Sequence, residues 1–485
     1  MDSDVIIIGA GMGGLFAGAF LAREGLRVTL LEKNRGYGGG LSNFVRNGES
    51  YETGMHVAGG FYPGGNLYGI CSYLGIADRL SMTDADIMAH VIDIRTGREF
   101  DLPSGSEAFV RSLSREFPDS AAEIEAYVKA LQRVASEERR FFFRNATDGE
   151  HSDEFTMPAD EFIAKYISDT DLRRLLAFQR PLYAGVDGQT PAFLHAMISS
   201  VFMERSQFFT DGSQSLADLL ACVIEKAGGQ ILTADGVTKV NVEDGQVTYV
   251  ETLSGKRYQA DWYVSDIHPC ALVEMSGDKA FPSYYVRRLH DIPDTSSAFK
   301  LYVRLKQGRL SALRHPVFII GVDGWPFEEA AFMCPDKTDP EFCSHMTVLA
   351  EMQPDEVRQW QDTRTGHRGA EYSAWKKSRM DRMMELLERA FPGIADNVAE
   401  CFGASPLTFR DWTGSRNGSM YGYRKDSGNL LMSMLSVRTK VRNLLLTGQN
   451  VNMHGIGGVP MTAIDTAEYI LGRNYIIDRI NKTIN

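Results

Sequence analysis

Three hydrophobic patterns run along the chain. The first is continuous: Val5 to Ile8 is apolar on both faces and Arg27 to Leu31 is a second such run, which predicts strands buried in a parallel sheet. The second has helical spacing, in Ala108 to Phe117, Ala121 to Arg144, Ala159 to Tyr166 and Leu172 to Arg180, and predicts a helical insertion from about Cys71 to Phe202. Within it, Pro191 to Met203 is apolar nearly all round, as in a buried helix or a pocket wall. The third alternates. Ala298 to Leu305 reads as a half-exposed strand, and Pro316 to Ile320 and Met346 to Glu351 as further strands of one antiparallel sheet. A helix from about Tyr372 to Phe391 packs outside that sheet.

The first strand ends in Gly9-Ala-Gly11-Met12-Gly13-Gly14, and small and apolar residues follow at helical spacing. The second strand ends in Glu32. Strand, glycine turn, helix, strand and acid are the parts of a dinucleotide-binding unit. The glycines let backbone approach a pyrophosphate, the helix start stabilises its charge, and the acid accepts from a ribose diol. Glu32 disfavours a 2′-phosphate, because like charges repel. A second block of this unit holds a helix, Leu216 to Ala227, capped by Gly228-Gly229. A strand follows at Gln230 to Leu232, then a hairpin from Gln246 to Gln259, then a buried strand running into Ser265-Asp266-Ile-His268.

Three further glycine loops punctuate the chain. Lys33-Asn-Arg-Gly-Tyr-Gly38-Gly39-Gly40-Leu41 follows the acid, and Tyr51-Glu-Thr-Gly54-Met55-His56 enters the next. The last is Gly448-Gln-Asn-Val-Asn-Met-His454-Gly-Ile-Gly-Gly458-Val459-Pro460, with Pro460 near the start of a closing helix. In this order the motifs resemble the FAD-dependent amine-oxidase-type flavoproteins, and most of all their branch of phytoene desaturases, carotenoid isomerases and retinol saturases. The resemblance covers the cofactor domain from end to end and the middle of the chain in outline.

The resemblance implies an α/β fold: a Rossmann-like FAD-binding domain of the GR2 type, with a parallel sheet, interleaved with an α+β substrate domain that contains an antiparallel sheet and a helical insertion. The cofactor domain would comprise residues 1–75, 205–275 and 435–485. The substrate domain would comprise 76–204, mainly helical, and 276–434. FAD would be held by Gly9, Gly11, Met12, Gly13, Gly14, Glu32, Lys33, Gly39, Gly40, Leu41, Gly54, Met55, His56, Val237, Gly448, Gly458 and Val459. Val237 would meet the adenine and the closing helix the flavin. The family's usual Arg after Gly-Gly is replaced here by Gly40-Leu41, so no charge contact is assigned there. Asp266 and His268 read as a strand-end turn away from the flavin.

Composition narrows the rest. Hydrophobic residues make up 44% and charged ones 24% of 485, as in a globular protein. The net charge of −12, with no basic arm, argues against nucleic acid. The six scattered cysteines have no metal spacing and read as reduced thiols. With no signal sequence and no spanning segment, the expected location is cytoplasmic, at most touching a membrane surface. One place for such contact is Arg139 to Arg144, three phenylalanines flanked by three arginines; the alternative is that these rings face the core or a substrate tunnel.

No nucleophile triad, metal site or phosphate loop competes with a flavin as the reactive group. The expectation is hydride exchange between FAD and a carbon–carbon bond of a hydrophobic polyene or isoprenoid, as desaturation or saturation. His56 and His454, inside flavin-facing loops, and Tyr421 are the candidates to place a proton. No second dinucleotide motif appears, so an external electron donor or acceptor is expected. The alternatives are a redox-neutral polyene isomerase, an amine oxidase (whose lysine contact has no evident position in the sequence), and a non-catalytic FAD-dependent lipid carrier.

Overall fold

The structure is a computed structural model describing residues 3–144, 151–277, 279–321, 330–332 and 341–484. Its centre is a five-stranded parallel sheet in the order Leu444–Leu446, Ala260–Ser265, Ser3–Ile8, Val28–Leu31 and Gln230–Leu232. The continuous apolar run of the first strand is explained by burial on both faces. Val5 and Ile7 join the core beneath the helix Met12–Arg23. Ile6 and Ile8 join a second core with Val240, Val250 and Tyr263. Each such side chain contributes about 1.5–3 kcal/mol. The helix Met12–Arg23 is flanked by Gln214–Lys226 and by the closing helix Gly455–Leu471. The first and last parts of the chain therefore meet over one sheet face.

The second sheet is antiparallel, in the order Ala330–Phe332, His345–Met352, Ser297–Leu305 and Val398–Ala404. The helix Gly369–Ala390 covers one face, where Phe299, Leu301 and Val303 meet Met383, Leu386 and Leu387.

Two sequence expectations are corrected here. Ser297–Leu305 is not half-exposed: Lys300 and Tyr302, on its polar face, are 3% and 2% exposed. That face lies against a second protein surface instead of water. Val317–Ile320 does not join the antiparallel sheet. It runs parallel to Ala89–Asp93, which pairs in turn with Arg98–Leu102. The insertion thus contains a hairpin as well as the helices Ser106–Glu116, Ala121–Glu137, Ala159–Tyr166, Thr170–Leu176 and Ala192–Glu204.

The helix from Ala121 ends at Glu137, and Arg139–Phe142 forms one tight turn. Phe141 and Phe143 point into the core, and Arg140 pairs with Asp465 and Glu468 of the closing helix. Two of the three rings thus serve the interior. Among the described residues no helix is long and apolar enough to cross a membrane.

Candidate active site

The first glycine turn is as tight as its sequence requires. A side-chain carbon at Gly14 would sit 2.2 Å from the Gly9 carbonyl oxygen, so only hydrogen fits between turn and helix. Glu32 is buried and accepts from the backbone N–H of Ala10 at 2.9 Å and of Asn34 at 2.8 Å. Its carboxylate is thereby fixed at the mouth of the turn, with lone pairs left for a hydroxyl donor. Asp235 N–H donates to the Glu32 carbonyl and Ala234 N–H to that of Asn34. This brings the strand start at Val237 beside the acid.

The Lys33 ammonium reaches the Asp411 carbonyl, while Asn34 donates to the Trp412 carbonyl. Gly39 lies against Gly11, and a side-chain carbon at Gly54 would meet the Gly40 carbonyl oxygen at 2.7 Å. Leu41 is buried and its carbonyl accepts from Ser213 Oγ. At the far end, Gly458 packs on Met453 and Val459 is buried. The turn at Gly9–Gly14, the loops at Gly39–Leu41 and Gly54–His56 and the closing block therefore form one continuous cradle.

Beyond the cradle opens a cavity of about 110 Å³. Its walls are mainly apolar: Leu182, Leu194, Met197, Val201, Phe202, Leu349 and Ile456 among them, with Phe141 from the tight turn. Met55, His56, Tyr421, His454 and Gly458 line the same cavity. The three candidate acid/base residues, whose first and last members lie 398 positions apart, thus share one space.

Their settings differ. His454 is buried, and its ring lies 5.0 Å from that of Tyr421. Its ring nitrogens make no hydrogen bond of good geometry, only a weak contact with the Tyr183 backbone. Burial, aided by the nearby Lys425 ammonium, pulls its pKa down to about 3, so the ring is neutral at ordinary pH. Burial pushes the Tyr421 hydroxyl well above its usual range.

His56 sits in a charged chain. Its Nδ1 lies 3.3 Å from Glu52 Oε2 and its Nε2 lies 3.0 Å from Lys300 Nζ. Lys300 also donates to the Thr53 carbonyl at 2.6 Å, and Glu52 accepts from Ser213 N–H at 3.1 Å. All three side chains are buried.

Sequence reasoning passed over Glu52 and Lys300. The four-residue spacing of Glu52 and His56 is visible in the Tyr51 to His56 turn; Lys300 was hidden in the alternating strand. Asp266 reaches the Gly11–Gly14 turn, because its strand is the hydrogen-bonded neighbour of Ser3–Ile8. His268 caps the helix Pro269–Ser276 and pairs with Asp294.

The model of a family described as flavin containing amine oxidoreductase matches residues 12–471. All-trans-retinol 13,14-reductase of Macaca fascicularis is 27% identical over 98% of this chain and 86% of its own length. Prolycopene isomerase 2 of an Oncidium hybrid is 24% identical over 87% and 75%. The solved structure of an oxidoreductase from Methanosarcina mazei superposes with a TM-score of 0.68, covering 96% of this chain and 99% of that one at 17% identity. The cradle has features that fit an FAD: a glycine turn at a helix start, a buried acid beside it with free lone pairs, backbone exposed by glycine, and an unsatisfied imidazole at the far end. The chain belongs to the flavin-containing amine oxidoreductase family, and it is an FAD-dependent oxidoreductase.

Proposed function

We propose that this protein saturates a carbon–carbon double bond of a hydrophobic polyene, a retinoid or carotenoid, and that the Glu52–His56–Lys300 chain manages the proton. The observation that carries this reading is the 3.0 Å contact between Lys300 and His56, the latter lining a mainly apolar cavity. FAD, when bound in reduced form, supplies a hydride to one carbon of the bond; the adjacent carbon then needs a proton. His454, held neutral, and Tyr421, held protonated, are poor sources of that proton near neutral pH. The ammonium of Lys300 donates to His56 Nε2, while Nδ1 faces Glu52, so the chain stores a proton where water is scarce. The apolar walls suit a ligand without polar groups along its length. The named activity of one relative, a reductase of all-trans-retinol, supports the same chemistry, and the isomerase of prolycopene supports a polyene substrate.

Anaerobic mixing of the reduced protein with an all-trans polyene alcohol tests the proposal. Flavin absorbance should return at a rate that rises with polyene concentration. Oxidised protein reduced by a primary amine, with no response to polyenes, would replace this reading with amine oxidation.

A further inference from the structure

The turn that offers its N–H groups to a pyrophosphate is already in contact with a carboxyl of the protein itself. Asp266 follows the strand Ala260–Ser265 and projects between the two ends of the cradle. A side-chain carbon at Gly13 would meet its Oδ1 at 2.3 Å, one at Gly448 would meet the same oxygen at 2.2 Å, and one at Gly11 would meet Oδ2 at 2.7 Å. The backbone N–H groups of Gly14 and Gly11 supply weak hydrogen bonds to it. One carboxyl thus bridges the first glycine turn and the closing loop, which are 435 positions apart between Gly13 and Gly448.

We propose that Asp266 is a positioning residue that holds these two loops together, and that it does so in protonated form once FAD fills the cleft, so that cofactor binding takes up a proton. The reason is charge. A pyrophosphate brings two negative charges to a turn that already faces Glu32, and an ionised Asp266 would add another among them. Glu32, from the end of the strand Val28–Leu31, is the charged side chain that faces Asp266. The helix Met12–Arg23 contributes only its N-terminal N–H groups, and the loop from Thr447 to Met453 contains no charged residue. The protein has begun the shift alone: burial first, then Glu32, raises the Asp266 carboxyl to about 7 despite the opposing N–H groups of Gly14 and Gly11. Asp266 is half-buried in the free protein, and FAD would close the cleft and raise the carboxyl further. A protonated carboxyl still bridges the loops, donating one hydrogen bond and accepting others. The inference requires FAD and no particular substrate.

The test is FAD release on dilution of the purified holoprotein, read by flavin fluorescence between about pH 6 and 9. The dissociation constant of the wild type should rise toward tenfold per pH unit above about pH 7, the slope of one proton. In Asp266→Asn, an uncharged isostere, it should be flat over that window and no weaker at the alkaline end than the wild type is. A flat wild-type profile, or a slope that persists in Asp266→Asn, would overturn the proposal. So would a variant that binds FAD more weakly than the wild type even at the alkaline end, because the ionised form would then be the useful one. If Asp266→Asn does not fold, calorimetric titration of the wild type with FAD, in two buffers of different ionisation enthalpy near pH 8, decides alone. Proton uptake approaching one per FAD supports the proposal, and none contradicts it.

Discussion

Lys300 Nζ lies 3.0 Å from Nε2 of His56, with both side chains buried and Glu52 on the other side of the ring. This places an amine, an imidazole and a carboxyl in contact in sequence, with the imidazole at the wall of a mainly apolar cavity. Buried charges of this kind are costly unless paired, and removing one partner costs more than removing both.

Lys300→Met should therefore reduce turnover by about 100-fold, in the range of a lost proton donor, while the yellow flavin stays bound. It should also lower stability by about 3–5 kcal/mol, because a buried polar cluster loses its amine. Adding Glu52→Gln should recover stability without recovering activity. Denaturant unfolding and single-turnover kinetics on the single and double variants check both halves. Full activity in Lys300→Met would remove the lysine from the reaction.

His454 presents the opposite case, a buried ring whose nitrogens lack good partners. Such a group costs about 1–3 kcal/mol until something polar reaches it. His454→Leu should accordingly raise the unfolding temperature of the FAD-free protein while weakening FAD retention, about tenfold for a lost hydrogen bond. Thermal unfolding with and without added FAD measures both. Unchanged FAD affinity would show that the ring only packs.

A pH effect follows from His195, which is fully buried between the hydroxyls of Tyr127, at 2.7 Å, and Tyr183, at 3.0 Å. Burial lowers its pKa from 6.5 to about 3. Between those values the unfolded chain binds a proton that the folded one refuses, so this contribution to stability is complete above the unfolded value and is lost as pH falls below it. The slope is about 1.4 kcal/mol per pH unit. Urea unfolding of wild type and His195→Gln at pH 7.5 and 5.0, values on either side of the ordinary histidine pKa of about 6.5, should show the wild type losing stability relative to the variant. A constant difference would mean that His195 is protonated in the folded protein.

Gly14→Ala tests the cradle. The new methyl would lie 2.2 Å from the Gly9 carbonyl oxygen, well inside contact distance, and backbone offers no flexible end to move. The helix must separate from the strand, and the protein should purify colourless. A yellow Gly14→Ala protein with ordinary FAD affinity would show that the turn is looser than described.

The cofactor cradle was legible in the sequence because its signals are local. A strand, a glycine turn and an acid fall within 32 residues, and the closing loop repeats the same logic near the other end. The proton chain was not legible, for a physical reason. Alternation in Ser297–Leu305 reports two different environments and does not say that one of them is water. Here Phe299, Leu301 and Val303 meet a helix, while Lys300 and Tyr302 meet the backbone and side chains of residues 52–56. The parallel pairing of Val317–Ile320 with Ala89–Asp93 was hidden for another reason, because partners so distant in sequence leave no local mark. Asp266 belongs to the same class: its neighbours come from sheet order and not from its own segment.

The most direct test of the account is the mass of the product formed from an all-trans polyene alcohol by the dithionite-reduced protein without oxygen. Saturation predicts a product heavier by two hydrogens, and by two deuteriums in heavy water, since the hydride and the proton both come from exchangeable positions. One product should form for each flavin reoxidised, and far more slowly in Lys300→Met. A product of unchanged mass, formed without flavin reoxidation, would show an isomerase and contradict the account.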